Sequence, residues 1–402
     1  MDGTQAVILF YAAALIVYGS VRARSSDGGR AEPSLFAAVM SLCAGFIGGG
    51  FSLGNAAAGF TGGVGNAAAL CGFSLGQALV AAFAAPRLVR FSGARTAGDL
   101  IACAFGDTAK RFTGLLSVLF CTGVLGAQIS AFGAVAGYIF GAHARLCAAA
   151  GFAVIIAYTA LGGPNAARGS DAVQIPALVL ALAAALALLL PRAGGFAGLF
   201  AALPASFGSV CSGGPAAFLY MFLTFMLGEM LCPPYLARML GSQDARRIRR
   251  ACGWSAALSV PFFFVSALLG MLARALQTTR SASHALPSAL AAALPFPLGA
   301  LALGALLCGG AALALALAFE DVLSILIIAY CFWCPAMLLP LLFALRGRRA
   351  DGRLFFCSAG LSVGAVLLWR LLGEPLGVPP MLAGLAASAA VFAAHAGYRK
   401  RK

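Results

Sequence analysis

Two long apolar stretches of this chain are interrupted by glycine and proline, and no other feature narrows its fold as much. The first runs from Ser34 to Gly63 and contains Gly48, Gly49, Gly50 and Gly54; the second runs from Ala216 to Leu240 and contains Gly228, Pro233 and Pro234. Glycine and proline weaken a helix locally. In lipid the backbone groups freed by such a break must find partners, so breaks persist only where they are buried in protein or line a cavity. A pair of interrupted spans in corresponding halves of a membrane protein points to an ion and solute site of a secondary transporter.

Composition agrees with a chain that lives in a bilayer. Of 402 residues, 62% are hydrophobic and 10% charged, which leaves too little polar surface for a soluble domain of this size. About twelve hydrophobic segments can be marked, near 6–20, 34–60, 65–85, 114–140, 146–162, 172–191, 215–235, 252–273, 295–319, 321–345, 354–372 and 379–396. Most are long enough, since about 20 apolar residues cover the hydrocarbon core. The first follows Met1, Asp2 and Gly3 without a basic start or a cleavage site, and reads as a retained helix rather than a signal peptide. The expected fold class is an all-α polytopic membrane protein.

The net charge of +15 sits in short loops, where it sets orientation rather than binding nucleic acid. With the amino terminus outside, the cytosolic loops hold Arg22, Arg24 and Arg30, the stretch from Arg87 to Arg111, Arg168, and the stretch from Arg238 to Arg250. Arg145, Arg192, Arg274 and Arg280 then face out. The twelve cysteines are scattered singly through apolar segments, as small buried hydrophobes are. Cys331 and Cys334 form a CxxC, but in the middle of a span beside Phe332 and Trp333, a poor setting for redox or metal chemistry. No nucleotide-binding loop and no catalytic triad is present, so the chain does not read as an enzyme, and no cofactor is implied.

Several short stretches then converge on one family. Tyr158-Thr-Ala-Leu-Gly-Gly163 followed by Ser170-Asp171-Ala-Val-Gln174 resembles a signature of the sodium/solute symporter family, which includes the proline, pantothenate and sodium/glucose symporters. Thr96-Ala-Gly-Asp99 with Phe105-Gly106 is similar to that family's loop before a core helix, and Ala127-Gln128-Ile129 to its mid-membrane glutamine helix. Gly228, Pro233 and Arg238 at intervals of five, then Ser242 to Arg246, resemble the broken helix and basic loop of pantothenate-type members. The resemblance implies two inverted five-helix repeats with broken first and sixth core helices, here 34–60 and 215–235. The repeats would cover 34–191 and 211–345 within one membrane domain, with 5–33 leading and 354–402 peripheral.

The same resemblance implies a coupling sodium ion held by backbone carbonyls of Ala44 and Ile47 on the first broken helix and of Cys308 on the eighth. The hydroxyl pair expected beside Cys308 falls on Ala311 and Ala312, which have none, so proton coupling stands as the other option. From the residues themselves, Gly45 and Gly48 to Gly50 could equally serve close helix packing. Glu229 is an acid in the middle of a span, where ionisable groups are costly and usually functional. It can bind a cationic group of a solute, carry a proton, or accept bonds from backbone of the unwound turn. Ser52, Gln128 and Gly228 join it as polar or backbone contributors to a cavity, with Phe51, Met226 and Tyr235 as walls. Asp171 and Gln174 open a helix after a cytosolic loop, as cap or as ion exit.

One stretch conflicts with the charge rule. Leu290 falls outside and Arg346 inside, so an odd number of crossings must separate them, yet the sequence between has room for two helices. The resemblance accounts for this by a deletion near 295–320. The glycines themselves suggest that Pro295 to Phe319 turns back near Gly309-Gly310; the rival is a full crossing that leaves Arg346 outside. The chain thus reads as a cation-coupled symporter of a small polar organic solute in the lipid bilayer, in a bacterial inner membrane. The alternative is a family member that no longer transports and acts as a sensor or structural component. The sequence is silent on oligomeric state.

Overall fold

The computed structural model describes residues 34–91, 93–240, 242, 244–307 and 322–401, with residues 3, 5–7, 9, 10, 13, 14 and 17. Among these every regular element is a helix. Seven described helices are long and apolar enough to cross a membrane, or eight if one bent pair is a single span.

The first broken segment is α1 (Leu35–Cys43) and α2 (Gly49–Gly62). Ser34 starts α1 by accepting the Ala37 N–H at 3.2 Å, the usual role of a serine at that position. After the turn at Gly63, α3 (Gly65–Leu79) continues through a π turn, Val80–Ala84, into Ala85–Leu88. Pro86 explains the π turn: it has no N–H to return to the preceding turn, and one wide turn absorbs the defect. A capping box of Thr96 and Asp99 opens α4 (Ala97–Phe105). Gly106, at φ 87°, turns the chain into α5 (Asp107–Phe140).

Next comes α6 (Ala144–Arg192), 49 residues long. Two segments and a cytosolic loop were expected here, with Ser170 or Asp171 as the cap of a new helix. The helix instead runs through these positions, and its amino-terminal cap is His143. A short α7 (Gly195–Ala201) precedes the second broken segment, α8 (Pro215–Gly228) and α9 (Pro233–Met239), bent by 42°. Then follow α10 (Ala245–Ala275), α11 (Ala285–Ala293), α12 (Leu298–Leu307), α13 (Val322–Leu345), α14 (Gly352–Leu371) and α15 (Pro380–Arg401).

Contacts divide the chain into two compact units, residues 1–69, 123–214 and 257–326 in the first and 70–122, 215–256 and 327–402 in the second. In the first, α2 and α10 cross at backbone distance. A Cβ on Gly59 would lie 2.3 Å from the Ala267 carbonyl oxygen, and one on Gly270 would lie 1.9 Å from that of Ala56. Such close approach is open only to small residues and replaces the hydrophobic drive that lipid cannot supply. In the second unit α3 meets α8 in the same way at Gly72 and Gly76. There Phe105, Phe343, Phe355 and Phe392 also stack across α4, α13, α14 and α15. Ser358 and Ser388 join α14 to α15 at 2.7 Å.

The second unit also fixes the side of the Arg346 loop. Arg346 and Arg87 line one cavity of about 290 Å³. The Ala350 N–H donates to the Ala104 carbonyl at 2.9 Å. The loop after α13 therefore shares a side with the basic loop after α3, as the charge rule requires, and the rival placement on the opposite side fails. Gly309 and Gly310, where the chain was expected to turn back, lie outside the described residues, as do Cys308, Ala311 and Ala312.

Candidate functional site

Each broken helix builds its own polar cluster, the first in one unit and the second in the other. At the first break α1 ends on Ala44, and the N–H groups of Gly45, Phe46 and Ile47 turn back to Leu42 and Cys43 carbonyls at 2.8–3.1 Å. The Ser52 hydroxyl reaches back from α2 to the Gly48 carbonyl at 2.9 Å and to that of Ile47 at 3.3 Å. The first N–H groups of any helix lack intrahelical acceptors. For α2 one of them, on Gly50, donates to Gln128 Oε1 on α5 at 2.7 Å.

That bond explains the glycines better than general helix packing does. A Cβ on Gly48 would stand 3.3 Å from the Gln128 amide, and one on Gly50 would stand 3.1 Å from it. The bare backbone lets a buried glutamine lie against the start of α2. Of the residues expected here, Ile47, Phe51, Ser52 and Gln128 are buried together, and Ala44 caps α1 at the same turn. Phe51 and Phe46 close one wall against Phe263 on α10.

One turn further, a buried polar network was not anticipated. Asn55 donates to the Phe263 carbonyl and to the Ser266 hydroxyl, both at 2.6 Å, and accepts from Asn66 Nδ2 at 2.9 Å. Asn55 and Ser266 are fully buried. Two asparagines eleven residues apart across a turn at Gly63 gave a faint signal, but their partner on α10 is more than 200 residues away.

The second break is written by proline. Pro233 and Pro234 open α9, where a missing N–H costs nothing, and a proline pushes the residue before it out of helical geometry. Cys232 accordingly sits at φ −68°, ψ 156°. Leu231 takes a left-handed backbone, φ 57°, an uncommon conformation for a branched side chain and one held only by its surroundings.

Glu229 lies in this gap, 4% exposed. Tyr330 Oη donates to Oε1, and Cys232 Sγ stands 3.5 Å from Oε2 as a thiol donor. Tyr330 is fully buried, ringed by Phe120 and Phe225. It also explains Gly228, since a Cβ there would fall 2.6 Å from the Cβ of Tyr330. Tyr235 is buried against Phe73 at 5.7 Å. Sequence reading found Gly228, Glu229 and Tyr235 but missed Tyr330, 101 residues on, and took Cys232 for a small hydrophobe. Asp171 and Gln174 lie within α6 at intermediate exposure, in the first unit. Cys331 and Cys334 are buried free thiols.

The chemistry open to the two clusters differs. The first offers carbonyl and hydroxyl oxygens and an amide, all neutral, which suit a hard monovalent cation or a polar solute. The second offers one carboxyl whose two oxygens accept from neutral donors. Protonating it adds an O–H donor to a group that otherwise only accepts, and weakens the bonds it receives.

Apolar crossing helices with two breaks, each supplied with its own polar groups, define a membrane transporter of the broken-helix class. Within that class the model of the sodium:solute symporter family matches residues 28–329, and the chain belongs to that family. A solved Na+-coupled sialic acid symporter, in a substrate-bound outward-open state, is similar in fold: TM-score 0.67 at 14% identity, covering 97% of each chain. No curated protein matches. The protein is thus an integral multi-pass membrane protein with the inverted-repeat symporter fold, and it carries out cation-coupled symport of a small-molecule solute. A non-transporting role is not favoured.

Proposed function

We propose that the protein imports a small polar organic solute by alternating access, with sodium as the coupling ion, across a bacterial inner membrane. The ion would lie at the first break against the Ala44 and Ile47 carbonyls, and Glu229 at the second break would meet the hydrogen-bond donors or cationic group of the solute. Glu229 carries this reading: a carboxyl buried at a helix break, hydrogen-bonded by a tyrosine and a thiol and with the charge of Arg238 acting on it from α9, is expensive unless it is used. The repeats of 34–191 and 211–345, the latter shortened near 295–320, would supply one broken helix each, and Asp171 and Gln174 would stand on the path by which the ion leaves. The paired neutral donors on Glu229 also favour a second reading, in which the coupling ion is a proton on that carboxyl.

Thermal stability of the purified protein in sodium against choline, across about pH 5.5 to 8, separates the two, because a ligand that binds only the folded state raises its stability by mass action. Saturable stabilisation by sodium that survives Glu229→Gln supports the ion at the first break. A pH-dependent shift abolished by Glu229→Gln, without a sodium effect, supports the proton. No response to either overturns both.

A further inference from the structure

A second cavity of the second unit, about 930 Å³, lies where α13 and α15 end. Its lining changes character along its length. Leu339, Leu342 and Phe343 come from the last two turns of α13, and Phe392 and Ala393 from α15. Beyond them stand Arg346, Arg348 and Arg349, on the loop just past the end of a membrane span. Gly347, at φ 69°, reverses the chain between them, its N–H closing on the Ala344 carbonyl at 2.8 Å, and so gathers the three guanidinium groups at one mouth.

Those charges are not neutralised by the protein. Among the described residues no carboxylate pairs with Arg346, Arg348 or Arg349. The acid nearest in sequence, Asp351, faces Arg353 at 3.9 Å and caps α14 through the Arg353 N–H at 3.1 Å. His395 Nε2, also on the cavity wall, is buried with no hydrogen-bond partner among the described residues. The last turn of α15 carries Arg399, Lys400 and Arg401.

We infer that this cavity holds an anionic phospholipid, its phosphate against Arg346, Arg348 and Arg349, an ester or phosphate oxygen against His395, and the start of an acyl chain along Leu339, Phe343 and Phe392. The order of the lining matches the order of groups in such a lipid at the depth where a span ends. A free anion has no use for the apolar half, and a zwitterionic lipid brings a cation toward three arginines. Basic pockets between membrane helices on the cytoplasmic side suit anionic headgroups for this reason. The site is separate from both broken helices, so it neither requires nor alters the reading of the transport site.

The test is thermal melting of the full-length protein in detergent, titrated with phosphatidylglycerol, phosphatidylcholine or inorganic phosphate. Phosphatidylglycerol should stabilise saturably while the other two do not. In R346Q/R348Q/R349Q the half-saturating concentration of phosphatidylglycerol should rise about fivefold per arginine removed, on the order of 100-fold in all. R246Q/R249Q/R250Q, which removes equal charge from the start of α10, should leave it within about twofold. Equal stabilisation by phosphatidylcholine, stabilisation by phosphate alone, or equal loss in the two triple variants would each overturn the site. If the first triple variant does not fold, Arg348→Gln alone must still weaken phosphatidylglycerol and spare phosphatidylcholine, or the inference fails.

Discussion

The two helix breaks perform the same interruption with opposite materials. The first is made of glycine and its partners meet backbone: a glutamine from α5 accepts the Gly50 N–H, and a serine one turn along α2 donates to two carbonyls. The second is made of proline and its partners meet a side chain: Cys232, three residues away, and Tyr330, 101 residues away, both donate to the Glu229 carboxyl. A glycine break leaves bare backbone for side chains and ions to approach. A proline break fixes a direction and presents a side chain, here an acid. Carbonyl chemistry and carboxyl chemistry are thereby kept on different halves of the protein.

The sharpest way to break this contrast is to add a single methyl group to each. Gly228→Ala places a Cβ 2.6 Å from the Tyr330 Cβ, an atom too near its own backbone to move aside; it should cost about 2–4 kcal/mol in a thermal melt and abolish uptake into proteoliposomes. Next in size, Gln128→Leu strips the acceptor from a buried N–H and should cost about 1–3 kcal/mol, whereas Gln128→Glu keeps an oxygen there and should fold better. Tyr330→Phe removes a donor from the Glu229 carboxyl, an expected loss of about 1.5–3 kcal/mol at neutral pH. Gly50→Ala meets only the movable Gln128 amide at 3.1 Å and should cost no more than about 1 kcal/mol. Were Gly50→Ala as harmful as Gly228→Ala, the idea that the first break is satisfied by an adaptable partner would fall.

The smallest effect lies outside both breaks. Burial pushes the Asp99 carboxyl up, but bonds from Lys110, from the Arg95 and Thr96 N–H groups and from the Thr96 hydroxyl hold it down at about 2, against an ordinary 3.8. A carboxyl lowered on folding adds stability that is complete above the ordinary value and lost as pH falls through the lowered one. The α4 cap should therefore weaken between pH 3.8 and about 2. In Asp99→Asn that acid-dependent step, worth less than about 1 kcal/mol at a partly exposed site, should be absent from the pH dependence of melting.

Much of this was legible because the residues that break helices act locally. Gly48 to Gly50, Pro233 and Pro234 weaken a helix through their own backbone, and an acid in an apolar span declares itself by its cost. Thr96 and Asp99 have the spacing of a capping box, though they were singled out only for their likeness to a family loop. What stayed hidden is what distant helices bring. Tyr330 and Asn55 were not singled out, because their partners are set by packing rather than by neighbours in sequence. The loop expected before Asp171 misled for a related reason: Gly162, Gly163 and Pro164 are strong breakers, yet the backbone runs helical through them.

The Asn55 network and the Gly59–Gly270 crossing tie α2 to α10 by hydrogen bonds at 2.6 Å and by backbone contact of Ala56 and Gly59 with Ala267 and Gly270. Two rods joined that way cannot slide or splay separately, and whatever swings in the transport cycle must carry them as one piece. Any bending of the first segment is then confined to the five residues from Ala44 to Gly48, which makes that turn the pivot of the segment.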